Sequence, residues 1–188
     1  VGSGQQRDKI RAALASDGAT ELELLCADVD ATADVDVFAD AHNLPFEDRY
    51  FDAVITTAVL EHVLYPEVVA GEMARVLEIG GLMYSELPFL QHVHEGAYDF
   101  TRYTLSGHRR LLNHFTELDS GLVAGPGTVL VWALESFFGS FFASVGLARL
   151  ARHATRLATF WLKYFDYLFK DKPAAMDGAS CSYFFGKK

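Results

Sequence analysis

Residues 40–62 limit the possible folds of this chain more than any other stretch. A short apolar run ends in an acid at Asp40, the chain turns at Pro45, and a second, β-branched run stops shortly before Glu61 and His62. This pattern predicts two strands whose carboxyl ends both carry polar side chains. Because ligands bind at the carboxyl ends of the strands in an open parallel α/β sheet, the stretch predicts a binding site together with the fold.

Strand patterns and helical patterns alternate along the rest of the chain. Helical spacing covers residues 5–16, 65–80 and 105–115. This order predicts an α/β fold with a doubly wound, mostly parallel sheet and right-handed crossovers. The predicted strands are residues 21–29, 35–39, 51–56, 82–87, 117–124 and 180–185.

Length and charge limit the number of domains and the kind of partner. With 188 residues, 51% of them hydrophobic, the chain can bury one sizeable core and is predicted to form a single domain, residues 1–188. A formal net charge of -9 argues against an enzyme that tracks along a phosphate backbone, since such proteins need a basic face. We therefore expect a small-molecule or neutral partner and no nucleic acid.

The two cysteines, Cys26 and Cys181, each lie in an apolar run and lack the spacing of metal ligands. They predict reduced thiols in a cytoplasmic protein, and no metal site is predicted. The chain passes from Val1 and two glycines directly into a polar helical pattern, so no signal peptide is predicted. Glycines of this kind normally follow a strand, and we expect that first strand to lie upstream of Val1.

Two segments of the chain carry a family resemblance. The segment that begins at Asp40 is D-A-x-x-L-P-F-x-D-x-x-F-D-A-V, and L-E-H-V follows it, ending at Val63. These two motifs, which form the first segment, resemble the class I S-adenosylmethionine-dependent methyltransferases. R-V-L-E-I-G-G, starting at Arg75, resembles the family's R-V-L-K-P-G-G and departs from it at Glu78 and Ile79. The resemblance implies a seven-stranded, Rossmann-like sheet with an antiparallel last strand, S-adenosylmethionine as the methyl donor and S-adenosylhomocysteine as the product.

The resemblance also implies where the ribose of the donor binds. Gly2 and Gly4 match the turn at which the backbone approaches the donor, although the third glycine of a dinucleotide fingerprint is absent and the pair also fits a simple turn. An acid at the end of the second strand accepts hydrogen bonds from the ribose diol in this family. Asp28 is the better match and Asp30 the second choice, while solvated turn residues are the alternative for both.

The adenine side of the predicted donor site comes from the next two strand ends. Asp40 and Ala41 match the acid and the small residue that lie beside the adenine ring in the family. Thr57, at the carboxyl end of the fourth strand, completes the set of predicted cofactor-binding residues.

Residues 89–103 follow the fifth strand and are rich in ionisable and aromatic side chains, which predicts a loop that faces the acceptor. Asp99 and Arg102 are predicted to form a local ion pair that pins this loop. Methyl transfer from a sulfonium is an in-line displacement, so a base is needed only where the acceptor must lose a proton. His62, His92 and His94 are the candidate bases, each of which also fits a surface histidine, and the sequence does not choose among them.

Residues 128–170 precede the last strand and match no part of the resemblance. The segment 128–147 is almost continuously apolar, and residues 149–170 separate an apolar stripe from a basic one. We predict two helices, within 128–147 and 150–170, that form an insert. Its apolar surface must be covered by the domain itself as a cap, by a second copy in a homodimer, or by an anionic membrane in peripheral contact. A membrane span is disfavoured because Glu135 would lie in the hydrocarbon.

The sequence therefore predicts an S-adenosylmethionine-dependent methyltransferase that acts on a small-molecule acceptor or on an apolar, lipid-linked one. We expect a cytoplasmic protein, associated with the membrane if the insert contacts lipid. Two other interpretations remain open: a methyltransferase-like fold that is inactive and serves as a binding module, and a nicotinamide-dependent Rossmann oxidoreductase. The oxidoreductase is disfavoured because its third glycine is absent and residues 40–51 have no role in its fingerprint.

Overall fold

The computed structural model describes residue 12 and residues 23–30, 32–94 and 96–188. Apart from residue 12, the predicted first helix lies outside these ranges, as do Gly2 and Gly4. The strands are β1 (Ala27–Asp28), β2 (Val37–Phe38), β3 (Phe51–Thr57), β4 (Leu77–Pro88), β5 (Thr116–Ala124) and β6 (Cys181–Lys187). The α-helices are α1 (Pro66–Val76), α2 (Leu105–Leu111), α3 (Pro126–Gly139), α4 (Val145–Thr159), α5 (Asp166–Phe169) and α6 (Pro173–Met176). Two 3₁₀-helices span Gly96–Tyr98 and Phe160–Phe165.

The strands confirm an α/β fold with a mixed sheet. Four of them form one sheet in the order β3, β4, β6, β5. β3 and β4 are parallel, and β6 lies between β4 and β5 and is antiparallel to both, as the resemblance implies for the last strand. β1 and β2 form a separate parallel pair. The described residues thus contain six strands in two sheets, and the single seven-stranded sheet is not confirmed.

The helix predicted to reach residues 80–81 ends earlier, at Val76, and Leu77 already belongs to β4. Leu77 is fully buried and pairs with Phe51 of β3, and the register then shifts through a bulge. Gly80 lies in this bulge with a φ of 88°, a conformation that glycine adopts without strain. Strand pairing and burial outweigh the local helical pattern here, so the predicted boundary is wrong.

Helix α2 begins as predicted and ends sooner. Thr104 caps it, since its Oγ1 accepts a hydrogen bond from the Gly107 amide at 3.1 Å. The helix ends at Leu111, whereas the pattern predicts residue 115, because the chain must turn to begin β5 at Thr116. Phe115 is buried all the same, which explains why its spacing indicated a longer helix.

One buried cluster joins the four-stranded sheet to α1 and to the chain around α2. Leu60 belongs to this core, so the chain that follows β3 is anchored immediately before it reaches Glu61 and His62. The core therefore fixes the position of the polar residues that follow it. Its members include Leu44, Val54, Val69, Met73, Val76, Leu77, Met83, Leu87, Leu112, Phe115 and Phe184.

Arg75, in the last turn of α1, anchors the segment that joins β2 to β3. Its guanidinium donates hydrogen bonds to the carbonyl oxygens of Leu44 at 2.9 Å and Phe46 at 2.8 Å. It also pairs with Glu72, which in turn accepts a hydrogen bond from the Leu44 amide at 2.9 Å. These contacts hold the chain that follows β2 against α1.

The helical insert, defined here as residues 126–169, is held together by polar contacts between its helices. Glu135 of α3 is buried and accepts two hydrogen bonds from the Arg156 guanidinium of α4, at 2.9 and 2.7 Å. Asp166 caps the start of α3, where its carboxylate accepts hydrogen bonds from the amides of Gly127 at 2.7 Å and Thr128 at 3.1 Å. The predicted pair of helices is therefore present and packed together.

The break between the two long helices of the insert lies at residues 140–144 and not near residue 148 as predicted. Close packing explains the difference. A Cβ atom at Gly139 would lie 2.7 Å from Nε of Arg152, so α4 passes directly over the end of α3. The chain must turn immediately after Gly139 to bring the helices this close. The second predicted helix is divided into α4, a 3₁₀ segment and α5.

The insert leaves much of its apolar surface exposed. No residue of α4 is buried, and none of the phenylalanines at 137, 138, 141 and 142 is buried against a described residue. The described residues therefore do not form a cap that buries these rings against the domain. The homodimer and the membrane contact stay predictions. Within the described part of the chain, no helix combines the length and the apolar character that crossing a membrane requires.

Candidate active site

The backbone turns sharply where β3 ends. Ala58 directly follows Thr57, the last residue of β3, and has a φ of 55°, in the left-handed region that is costly for residues other than glycine. Its amide donates a hydrogen bond to the carbonyl oxygen of Glu86 at 3.2 Å, which ties the turn to β4. Strained residues of this kind persist where the surrounding structure holds them, and they cluster at functional sites.

A cluster of three ionisable side chains forms just beyond this turn. Nε2 of His62 and Nε2 of His94 lie 3.0 Å apart. Oε1 of Glu61 lies 3.6 Å from Nε2 of His62 and 3.9 Å from Nε2 of His94. Glu61 is fully buried, and neither of its carboxylate oxygens accepts a hydrogen bond from any described residue. Burial raises the pKa of Glu61, against the opposing effect of its own backbone amide, the two imidazoles and Arg102.

The loop at residues 89–103 is fastened to this cluster. Arg102 and Asp99 form the predicted ion pair, which is confirmed, and the guanidinium holds the pKa of Asp99 well below its usual range. The Asp99 carboxylate also accepts a hydrogen bond from the His94 amide at 3.0 Å. The Phe100 amide donates to the Glu61 carbonyl oxygen at 2.9 Å. The ion pair therefore fixes the position of His94 beside Glu61.

His92 lies apart from the other two candidate bases. Its Nε2 is 3.2 Å from Oγ of Ser136, and its ring contacts the Trp132 ring with the centroids 5.7 Å apart. Both partners belong to α3. The structure thus brings His62 and His94 together and directs His92 to the insert, which places the insert next to the loop that was predicted to face the acceptor.

The predicted ribose-binding acid lies where expected. Asp28 is the last residue of β1 and pairs with Phe38, the last residue of β2. Its Oδ1 accepts a hydrogen bond from the Asp30 amide at 3.0 Å. Asp30 itself accepts hydrogen bonds from the amide and the hydroxyl of Thr32 at 2.8 and 2.7 Å, which lower its pKa. Both acids thus accept a hydrogen bond from the amide two residues further on, and the choice between them stays a prediction.

Asp40 follows the end of β2 at the same edge. Its Oδ1 accepts hydrogen bonds from the backbone amide of His42 at 2.9 Å and from Nδ1 of His42 at 2.7 Å. These bonds lower the pKa of Asp40, whose side chain is 66% exposed. Nε2 of His42 accepts a hydrogen bond from the Tyr65 amide at 3.3 Å. Because Tyr65 follows His62 closely in the chain, this bond links the strand end of Asp40 to the region of the histidine cluster.

The side chains at these two strand ends have the chemistry that binds an adenosine-containing donor. Asp28 and Asp40 place two carboxylates at adjacent ends of parallel strands, and carboxylates accept hydrogen bonds from the hydroxyl groups of a ribose and from an exocyclic amine. Ala41 is buried beside Asp40, and Thr57 ends β3. The positions of Gly2 and Gly4 fall outside the described residues, so the glycine turn stays a prediction.

Two groups that the structure singles out were not selected from the sequence. Glu61 stands in the L-E-H-V segment, but its burial is visible only in the fold. His108 is fully buried, with Ser182 Oγ 3.2 Å from Nδ1 and Ser85 Oγ 2.9 Å from Nε2. Burial lowers the pKa of His108 to about 4, so the imidazole is neutral. The LSGHRRL pattern of α2 carries no signal of these serines.

Known proteins resemble this chain in sequence over part of its length. Residues 3–85 match the family model described as a methyltransferase domain. The ubiquinone/menaquinone biosynthesis C-methyltransferase UbiE of Neisseria gonorrhoeae is 41% identical over 68 residues, which cover 36% of this chain and 28% of that protein. UbiE of Neisseria meningitidis is 40% identical over the same shares. The matched segment thus spans less than a third of these curated relatives.

Solved structures resemble the chain over its whole length. A SAM-dependent methyltransferase from Archaeoglobus fulgidus has a TM-score of 0.60 and 12% identity, covering 100% of this chain and 83% of that one. The [4+2]-cyclase SpnF has a TM-score of 0.59 and 18% identity, covering 100% and 73%. These likenesses show a Rossmann-like methyltransferase fold. Together with the match over residues 3–85, they make the chain similar to the class I S-adenosylmethionine-dependent methyltransferases, whose methyl donor is S-adenosylmethionine.

Proposed function

We propose that this protein transfers a methyl group from S-adenosylmethionine to a small apolar or lipid-linked acceptor and releases S-adenosylhomocysteine. The match of residues 3–85 to a methyltransferase domain supports the reaction, and the names of the curated relatives support an acceptor of the quinone type. The observation that carries the proposal is the grouping of strand ends. One carboxylate ends β1 and another follows β2, and His42 links the second, Asp40, to the amide of Tyr65, three residues after His62.

We assign Asp28 to the ribose hydroxyls. We assign Asp40 and Ala41 to the adenine. When bound, S-adenosylmethionine supplies a methyl group on a positively charged sulfonium. The protein then mainly positions the acceptor in line with that methyl group. His62 or His94 would accept a proton where the acceptor has one to lose, as carbon methylation requires.

The apolar character of the acceptor is inferred from the insert. His92 links the loop at residues 89–103 to α3, and the same helix carries the exposed rings of Phe137 and Phe138. An apolar acceptor that approaches along this surface would reach the loop without crossing a polar face. We extend the proposal to contact with an anionic membrane, since α4 carries Arg149 and Arg152 next to exposed leucines.

Donor binding is tested by calorimetric titration with S-adenosylhomocysteine. We expect Asp28→Ala to weaken binding by roughly tenfold or more, because it removes charge-assisted hydrogen bonds worth about 1.5–3 kcal/mol each. Asp171→Ala, an exposed acid near the end of the insert, is the matched control and should bind like the wild type. If Asp30→Ala abolishes binding and Asp28→Ala does not, the assignment of the acid is wrong. Failure of the wild type to bind would favour the inactive module.

The class of acceptor is tested with radiolabelled donor. We expect methyl transfer to a demethylated quinol in detergent or vesicles, and none to a water-soluble catechol.

Vesicle sedimentation with anionic and neutral lipids, run beside light scattering, tests the membrane contact. Phe137→Ser with Phe141→Ser should reduce sedimentation with anionic vesicles. A stable dimer that ignores both lipids would contradict the membrane contact and support the homodimer.

A nicotinamide-dependent oxidoreductase is now the weaker alternative, because the family match is to a methyltransferase domain. The fold alone does not establish methyl transfer, since SpnF shares it and is described as a cyclase. Titration with NADH in the same calorimeter separates the alternatives. Binding of NADH in preference to S-adenosylhomocysteine would overturn the proposal.

A further inference from the structure

We infer that Glu61, His62 and His94 form a binding site for a divalent transition-metal ion. This inference concerns the cluster itself: with an ion bound, Nε2 of His62 and Nε2 of His94 are ligands and do not act as the base of the proposed function, whichever acceptor the protein uses. The sequence predicts no metal site because the cysteines lack ligand spacing, whereas these three ligands come together only in the fold.

The three ligand atoms already stand at the corners of a metal site. The separations of Oε1 of Glu61 and the two Nε2 atoms are 3.0, 3.6 and 3.9 Å. A point equidistant from these atoms lies about 2 Å from each, which is the length of zinc bonds to histidine nitrogen and carboxylate oxygen. These separations allow one ion to contact all three atoms.

The carboxylate of Glu61 has no hydrogen-bond partner among the described residues. Both of its oxygens are buried and accept no hydrogen bond from the described part of the chain. A buried charge is normally paired or bound to a metal, because leaving it without either is costly. Oε1 faces the gap between the two imidazoles, so an ion placed there satisfies it.

Each imidazole is oriented by a backbone carbonyl oxygen on the side of the ring opposite the proposed ion. Nδ1 of His62 lies 2.8 Å from the carbonyl oxygen of Tyr98, and Nδ1 of His94 lies 3.2 Å from the carbonyl oxygen of His92. A carbonyl oxygen only accepts, so each Nδ1 carries the hydrogen. In the neutral rings both Nε2 atoms then present lone pairs to each other at 3.0 Å. This arrangement, with the outer nitrogen bonded to an oxygen, is typical of histidines that bind metals.

The ligand set indicates which ions fit. Two imidazoles and one carboxylate suit zinc and neighbouring first-row metals, whereas Mg²⁺ and Ca²⁺ prefer oxygen ligands. The His62 and His94 side chains are partly exposed, at 18% and 30%, so the side of the cluster away from Glu61 is open to solvent. An ion bound by three protein ligands with an open side keeps a position for water or for an acceptor oxygen.

The test uses the full chain without a polyhistidine tag, stripped with a chelator and titrated with ZnCl₂ by calorimetry, with Co²⁺ absorption as a second signal. We expect one ion per chain and at least a tenfold weaker affinity in His94→Ala and in Glu61→Gln. His92→Ala is the matched control, since that ring packs against α3 and is not part of the cluster. MgCl₂ should not compete.

Equal zinc affinity in the wild type and in His94→Ala would overturn the inference, as would uptake of no ion or displacement by MgCl₂. Circular dichroism of each variant shows whether it is folded, and Glu61→Gln provides a second variant if His94→Ala is not. Titration of the same samples with S-adenosylhomocysteine separates this inference from the proposed function, because donor binding depends on the β1 and β2 ends and not on the cluster.

Discussion

His108 and the pair formed by His62 and His94 show two different uses of imidazole in one fold. His108 is sealed in the core, and each of its ring nitrogens meets a serine hydroxyl. His62 and His94 meet each other, beside a buried carboxylate that accepts no hydrogen bond from the described residues. A buried polar group with every partner in place is a structural element. For the Glu61 carboxylate, which lacks one, we infer a ligand, and this distinction can be tested in four ways.

The largest expected effect is on the satisfied histidine. His108→Leu removes the partner of both Ser85 and Ser182, and each buried hydroxyl that is left without a partner costs about 1–3 kcal/mol. We expect the free energy of unfolding in urea to fall by roughly that amount for each hydroxyl. His114→Leu, at an exposed position, is the control and should change stability by about 0.5 kcal/mol or less. Similar losses in both variants would contradict the structural role of His108.

The second prediction concerns the pH dependence of stability. The pKa of His108 is lowered to about 4 in the folded protein, while an unfolded histidine titrates near 6.5. The unfolded state therefore binds the proton first as the pH falls. The contribution of His108 is complete above about pH 6.5 and declines toward pH 4, by about 3 kcal/mol in total. Urea denaturation across this range should show a shallower decline in His108→Gln than in the wild type, and parallel curves would refute the assignment.

The third prediction concerns the incomplete cluster. If it binds zinc, free zinc at a hundred times the dissociation constant raises the free energy of unfolding by about 2.7 kcal/mol. Glu61→Gln should not respond to zinc. Without metal, the variant should be at least as stable as the wild type, because a neutral amide is less costly to bury than a carboxylate. A variant that loses stability without metal would show that Glu61 has a structural partner.

The smallest effect is expected at a carboxylate that does have its partners. Asp166 accepts hydrogen bonds from two amides at the start of α3 and from the Thr128 hydroxyl at 2.7 Å. Asp166→Ala should lower stability by about 1–2 kcal/mol, as expected for the loss of a helix cap. Thermal unfolding beside Asp171→Ala measures the difference. An Asp166→Ala variant as stable as the wild type would show that a bonded carboxylate does not stabilise the insert.

Much of the fold follows from local patterns in the sequence. The β-branched run of β3, the start of α2 at residue 105 and the pair of Asp99 and Arg102 were all predicted correctly. Each depends on residues only a few positions apart, so the side-chain spacing carries the information. The antiparallel last strand came from the family resemblance, since a strand pattern by itself does not state its direction.

Tertiary structure decided the features that depend on distant residues. Leu77 is helical by its spacing but pairs with Phe51, because burial in the sheet outweighs helix propensity. His62 and His94 are 32 positions apart and meet because the loop at residues 89–103 folds back over Glu61, where the Phe100 amide and the pair of Asp99 and Arg102 hold it. The sequence by itself determined which strands form and which acids end them. Whether a polar side chain finds a partner depends on contacts across the fold, and local patterns carry no record of them.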